Sequence, residues 1–161
     1  MPVIKKLQPL GEILKQRGLI NQAQLTEVLA IGKRTNERVG KVLVSLGYCT
    51  EKDISDGLGD QYGIPSVMLS SVIIEPQVLK LIPESVAKKY MVIPFSREGE
   101  TLKAAMLDPL DVFAIDEMKK LTGLNIDPVV STETEIMKAL DQYRGMGSSL
   151  EEAVSKVQAS G

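Results

Sequence analysis

The chain has 161 residues, 43% of them hydrophobic but only 4% aromatic, enough for one ordinary domain or two small ones packed by aliphatic and Met side chains. A formal net charge of −2 gives no basic excess and argues against nonspecific nucleic-acid binding as the main task. With no histidine and one cysteine, the chain lacks the commonest general base and cannot form an internal disulfide or a zinc–thiolate cluster.

The opening MPVIKKLQ carries Lys5 and Lys6 but no following apolar run, and no 18-residue apolar stretch occurs, so neither a signal peptide nor a membrane-spanning helix is expected. The first third is a duplication. Residues 10–32, LGEILKQRGLINQAQLTEVLAIG, return as residues 39–61, VGKVLVSLGYCTEKDISDGLGDQ, at a constant offset of 29. Gly11 matches Gly40, Leu14 matches Leu43, Gly18 matches Gly47, Leu25 matches Ile54 and Leu29 matches Leu58.

Each copy predicts a helical hairpin. Leu10, Ile13 and Leu14 in the first, and Val39, Val42, Leu43 and Leu46 in the second, share one helical face. Gly18 and Gly47 follow as helix stops. Asn21 with Gln24, and Thr50 with Asp53, read as capping boxes that open second helices carrying Leu25, Val28 and Leu29, or Ile54 and Leu58. Gly11 and Gly40 sit inside a first helical turn, where glycine costs up to about 1 kcal/mol relative to alanine. Two readings account for the pair: tight helix–helix packing, or an anionic ligand lying on the helix N-termini. Cys49 reads as a packed small hydrophobe rather than a nucleophile.

Gly63 and Pro65 end the helical part, and the short joint at Tyr62–Pro65 suggests that the two parts pack together. Val67–Leu69 reads as a short strand. Glu75–Pro76 opens a short helix with Val78, Leu79 and Ile82, and Pro83 interrupts before a further turn or two over Glu84–Lys89. Met91–Phe95 and Thr101–Leu107 flank Arg97-Glu98-Gly99-Glu100 and predict a hairpin, although Leu102–Leu107 is a mediocre strand by composition. Asp111 caps a predicted helix with Val112, Ile115, Met118 and Leu121, which Gly123 stops. Ile126–Val130 returns as a strand, with Pro128 marking an edge or a break. Thr132 and Glu135 read as a capping box opening a helix with Ile136, Met137, Leu140 and Tyr143. Gly145–Ser149 reads as a linker, and Leu150, Ala153, Val154 and Val157 as a last short amphipathic segment.

The fold class that follows is α+β: an N-terminal helical bundle of two repeated hairpins over residues 1–63, then a small α/β sandwich over 64–145, then a linker and short helix over 146–161. No catalytic or metal-ligating constellation emerges. Asp108 and Asp111 read first as capping carboxylates, Lys88-Lys89, Lys119-Lys120 and Glu151-Glu152 as solvated faces, and Arg38 either as an exposed partner of Glu37 or Glu12 or as a ligand contact. The chain has no Gly-x-x-x-x-Gly-Lys-Ser/Thr run and so no P-loop.

The duplicated pattern is Arg-Leu-Gly, a Leu three residues on, a Gly four further, a Leu seven further, a Leu four further and a closing Gln. It resembles the N-terminal domain of type II secretion and type IV pilus assembly ATPases. YGIPSVML, the run from VIPF through TLKAAMLDPLDVFAIDEMKKLTG, and TETEIMKALDQYRG extend that resemblance over about residues 7–145. In one branch of this family the doubled motif binds cyclic di-GMP, each copy holding part of the dinucleotide. The resemblance implies contacts from Leu10, Gly11, Leu14, Gly18, Leu25 and Leu29 in the first copy. In the second it implies Arg38, Val39, Gly40, Leu43, Gly47, Ile54, Leu58 and Gln61, with Asp108 as an acceptor for a guanine.

The second copy carries the pattern with Val39 and Ile54 for Leu. The first has Pro9 in place of the arginine and Gly32 in place of the glutamine. An arginine fork suits guanine and phosphate, and a glutamine can donate and accept at a base edge; proline and glycine do neither. The resemblance therefore implies a non-catalytic regulatory and docking domain. Its expected partners are the ATPase body of the parent chain and the cytoplasmic domain of the inner-membrane platform protein, with no nucleic acid and no membrane insertion. Its expected location is the cytoplasm, peripheral to the inner membrane. The alternative is a cyclic di-GMP receptor with a degenerate first copy. The tail implies either an excised domain or a stand-alone homologue.

Overall fold

The structure, a computed structural model, describes residues 8–143. Four helices come first: α1 (Leu10–Gln16), α2 (Gln22–Thr35), α3 (Val39–Ser45) and α4 (Glu51–Tyr62). The two hairpins use the same local devices. Gly18 and Gly47 adopt φ of 78° and 77°, the left-handed conformation in which glycine carries no Cβ penalty. At each stop two backbone bonds close a Schellman motif. Gly18 and Leu19 donate to the Lys15 and Leu14 carbonyls, and Gly47 and Tyr48 to those of Val44 and Leu43. Both capping boxes are complete: Asn21 accepts from the Gln24 amide and Thr50 from the Asp53 amide, and the side chains of Gln24 and Asp53 accept in return.

The helices exchange partners between copies, with α1 against α4 and α2 against α3. Their apolar faces enclose one cluster in which Leu14, Leu25, Val28, Val42, Leu43 and Ile54 are buried, together with Cys49. Gly11 and Gly40 explain themselves here. A Cβ on Gly40 would meet Ile54 Cγ2 at 2.8 Å, and one on Gly11 would collide with Leu25 Cδ1. Leu25 and Ile54 are equivalent residues, so one close approach is used twice.

The second part is built around a three-stranded sheet in the order β1 (Val92–Glu98), β2 (Thr101–Met106), β3 (Asn125–Val130). β1 and β2 pair antiparallel, with a shift between Pro94 and Ser96, and β2 and β3 pair parallel. Arg97 and Glu98 belong to β1 rather than to the loop, so the turn contracts to Gly99-Glu100, with Gly99 at φ 58°. The middle strand β2 is buried at Leu102, Ala104, Ala105 and Met106, so it needs small and apolar side chains on both faces rather than alternation. Pro128 stands on the edge strand, where the missing N–H costs no ladder bond.

Around the sheet lie α5 (Pro76–Leu79), α6 (Glu84–Tyr90), α7 (Val112–Thr122) and α8, which covers residues 133–143. Ile82 falls after α5, in the turn that Pro83 closes. Asp111 caps α7, accepting from the amides of Phe113 and Ala114, and Gly123 ends it at φ 70°. Leu79, Ile82, Ile93, Leu102, Met106, Met118 and Ile136 fill the second cluster.

Two local expectations are corrected. Val67–Leu69 is not a strand: Ser66 makes a single parallel bridge to Val130, and Leu69–Ser71 turns as a 3-10 helix. Pairing stops there: the Val67 carbonyl accepts from the Ser131 hydroxyl at 3.1 Å, and the Glu135 carboxylate accepts from the Ser70 amide at 2.7 Å and the Ser70 hydroxyl at 3.1 Å. For the same reason the Thr132–Glu135 capping box is only half formed. Thr132 Oγ1 accepts from the Glu135 amide, while the Glu135 side chain points to Ser70. The sequence readings of the Gly145–Ser149 linker and the segment after it lie outside the described residues.

Candidate ligand cleft at the second motif copy

The parallel register decides where the two parts meet. Met106 pairs with Val130, so β2 and β3 end side by side and deliver Leu107 and Thr132 to the same place. On the outer edge of β3, Val130 donates to the Pro65 carbonyl and accepts from the Val67 amide, which brings the end of α4 against the strand end. Between them lies a cleft of about 360 Å³. That size falls within the usual range of small-molecule sites.

One wall comes from the second motif copy, with Arg38, Val39 and Gly40 from the start of α3 and Ile54, Leu58 and Gln61 from α4. Leu10 of the first copy joins them. The opposite wall holds Leu107 and Thr132–Thr134. Glu37, Lys41, Glu51 and Tyr62 complete the lining.

Charges of both signs face the cleft. Arg38 Nε stands 3.3 Å from Glu133 Oε2, so its ionic partner is across the cleft rather than Glu37 or Glu12. Glu37 pairs instead with Lys41 at 3.8 Å, and Glu12 with Lys15 at 3.5 Å. Gln61 Nε2 donates to the Gln8 carbonyl at 2.9 Å, leaving its amide oxygen as an acceptor. Glu51 Oε2 is buried with no hydrogen-bond partner among the described residues. Burial pushes the Tyr62 phenol up, as does the charge of Asp108, against a smaller opposing pull from Arg38.

The remaining residues implied by the resemblance do not line the cleft. Gly11, Leu14, Leu25 and Leu43 belong to the bundle interior, Gly18 and Gly47 to the helix stops, and Leu29 is half exposed on α2. Asp108 lies close enough to act on Tyr62, but its carboxylate accepts from the Leu110 amide at 3.1 Å in a local turn. Glu37, Lys41, Glu51 and Tyr62 flank the motif and could have been suspected from the sequence. Leu107 and Thr132–Thr134 required the parallel pairing of β2 with β3.

Pro9 explains how the first copy keeps its fold. It precedes α1 at φ −60°, ψ 143°, and Arg38 precedes α3 at φ −69°, ψ 145°. Proline is pre-set for that backbone, so helix entry survives while the guanidinium is lost. Gly32 is equally constrained: a Cβ there would lie 3.1 Å from the Glu37 carbonyl. Its equivalent, Gln61, donates to the carbonyl of Gln8, the residue equivalent to Glu37.

The sequence profile of the MshEN domain matches residues 62–150, more than half of the chain. The chain belongs to the MshEN domain family. The match begins at Tyr62, so the doubled motif lies ahead of it. Over 149 residues, 92% of this chain, the sequence is 40% identical to the type IV pilus assembly ATPase PilB of Myxococcus xanthus (strain DK1622). The chain spans about a quarter of that relative, 26% of its length. The solved structure of MshE with cdg resembles this one with a TM-score of 0.65 at 30% identity, covering 84% of this chain and 99% of that one. The N-terminal domain of XpsE shares the fold, with a TM-score of 0.57 at 20% identity over 83% of this chain and 92% of that one. Among the described residues of this MshEN domain no group of His, Cys, Asp or Glu is arranged to hold a metal ion, and no helix is long and apolar enough to cross a membrane.

Proposed function

We propose that this MshEN domain is the regulatory, non-catalytic N-terminal domain of a type IV pilus assembly ATPase, and that its cleft takes part of a cyclic di-GMP. The observation that carries the reading is the convergence of Arg38, Gly40, Leu58 and Gln61 on one cleft. The likeness to MshE with cdg supports the choice of ligand. One guanylyl half lies between the Arg38 fork and Gln61, over the apolar floor of Leu10, Val39, Ile54 and Leu58. The other half meets Pro9 and Gly32 and finds no side-chain polar contact there.

Arg38→Ala and Gln61→Ala should each weaken cyclic di-GMP binding by about 1–3 kcal/mol, the scale of a bidentate base contact. Binding unchanged in both variants would remove the assignment. Leu58 and Gly40 contribute shape rather than charge, so salt should act on the Arg38 contribution and leave the apolar part intact.

A second reading, docking onto the cytoplasmic domain of an inner-membrane platform protein, draws on one feature. Leu110, Val112 and Phe113 are exposed together at the entrance to α7, with Phe113 77% accessible. Apolar clusters of this kind mark interaction sites. The ATPase activity and the placement of the motor at the inner membrane belong to the parent chain in this reading. A pull-down with the platform protein's cytoplasmic domain that retains wild type but loses Phe113→Ser would support docking, and no retention of wild type would contradict it.

A further inference from the structure

We infer that Glu133 competes with the ligand for Arg38: an internal carboxylate that holds the guanidinium until a ligand with a better acceptor displaces it. The inference rests on the nucleotide reading of the cleft and adds to it the residue that tempers affinity there.

Arg38 is poorly fixed from its own side. It stands just outside α3 and makes no side-chain hydrogen bond to that helix. Its ionic contact among the described residues is Glu133 Oε2, at 3.3 Å from Nε. Glu133 comes from the other part of the molecule, at the first position of α8, between Thr132 and Thr134 on the facing wall. The pair therefore bridges the cleft between the motif and the sheet end. Of the other acids nearby, Glu37 is paired with Lys41, Asp108 is engaged by the Leu110 amide, and Glu51 has a buried carboxylate oxygen without a hydrogen-bond partner among the described residues.

The contact uses one edge of the guanidinium and is partly open to water, with side-chain exposure of 62% for Arg38 and 33% for Glu133. Exposed ion pairs are weak. A planar acceptor that takes two parallel N–H bonds, such as guanine O6 and N7, outcompetes a single carboxylate contact. A ligand must draw Arg38 off Glu133 to use the fork and so loses that contact, whereas a ligand that does not use Arg38 leaves it in place. Glu133 thus lowers affinity for the ligands that engage the guanidinium. Adenine, which presents a donor at the position of guanine O6, does not engage it and binds without that cost.

The test is calorimetric titration of the wild type, Glu133→Gln, Arg38→Ala and the double variant with cyclic di-GMP and with cyclic di-AMP. Glu133→Gln keeps the side-chain shape and leaves the Thr132 cap intact. It should bind cyclic di-GMP about two- to five-fold more tightly than wild type, the scale of removing one exposed charge contact. It should gain less for cyclic di-AMP, which leaves Arg38 free to stay on Glu133, so that discrimination between the two rises. In the Arg38→Ala background, Glu133→Gln should gain less, since only the direct repulsion between Glu133 and the ligand phosphates is relieved. Equal affinities of wild type and Glu133→Gln, or the same gain without Arg38, would overturn the inference while leaving the cleft a nucleotide site. If no variant binds either dinucleotide, the nucleotide reading itself fails. The Arg38 Nε–H resonance then decides whether the contact exists: slowed solvent exchange in wild type that is lost in Glu133→Gln supports it, and identical exchange in both contradicts it.

Discussion

Gly40 and Ile54 approach so closely that a methyl group on the Gly40 Cα would sit 2.8 Å from Ile54 Cγ2. That atom is on a β-branched side chain with little rotamer freedom, and Ile54 is buried. Gly40→Ala should therefore destabilise the domain by about 1–3 kcal/mol, the usual cost of overpacking, despite alanine's better helix propensity of about 1 kcal/mol. In an Ile54→Ala background the same substitution should be nearly neutral, which chemical denaturation of the four variants would show. Additive effects would mean that Gly40 is not there for packing.

The two capping boxes are equivalent, so they should be equally sensitive. Asn21→Ala and Thr50→Ala each remove the acceptor for an N3 amide, and each should cost about 1 kcal/mol in urea unfolding. A negligible effect of either would show that its hairpin is held by burial alone.

Glu135 joins distant parts of the chain. It is 2% exposed, and its carboxylate accepts from both the amide and the hydroxyl of Ser70. Glu135→Ala leaves that amide without an acceptor and should cost about 1.5–3 kcal/mol, the range for hydrogen bonds to a charged group. Hydrogen exchange at Ser70 should accelerate in step; protection unchanged from wild type would contradict the contact.

Tyr143 gives the domain an alkaline limit. Its hydroxyl is buried without a partner among the described residues, and burial, helped by the charge of Glu84, pushes the phenol well above its ordinary 10.0. A raised folded-state value means that the neutral phenol stabilises the fold below pH 10 and that this contribution is lost as pH rises. Stability should fall above pH 10 by up to about 1.4 kcal/mol per pH unit. Tyr143→Phe should flatten that decline and be at least as stable as wild type at pH 7, since it deletes a buried hydroxyl that has no partner among the described residues. An identical decline in the variant would assign it elsewhere.

The helical part was readable because its signals are local. Gly18, Gly47, Asn21 and Thr50 each act within four residues, and a repeat states each signal twice. β2 was harder: Ala104 and Ala105 look unsuited to a strand until both faces are known to be covered. Glu135 shows the limit of motif reading, since its position predicted a capping box but Ser70, far away in sequence, claimed the side chain. The cleft was half legible. Arg38, Gly40, Leu58 and Gln61 followed from the motif, whereas Leu107 and Glu133 depended on parallel pairing between β2 and β3, which no short-range pattern encodes.

Titrating the wild-type domain with cyclic di-GMP by calorimetry addresses the central claim most directly. The account predicts saturable binding at one site, weakened when Arg38 is replaced by alanine, even though Pro9 and Gly32 leave the first copy without polar contacts. No heat from a folded sample at high ligand concentration would contradict it, leaving the duplicated motif as a scaffold and docking as the function to pursue.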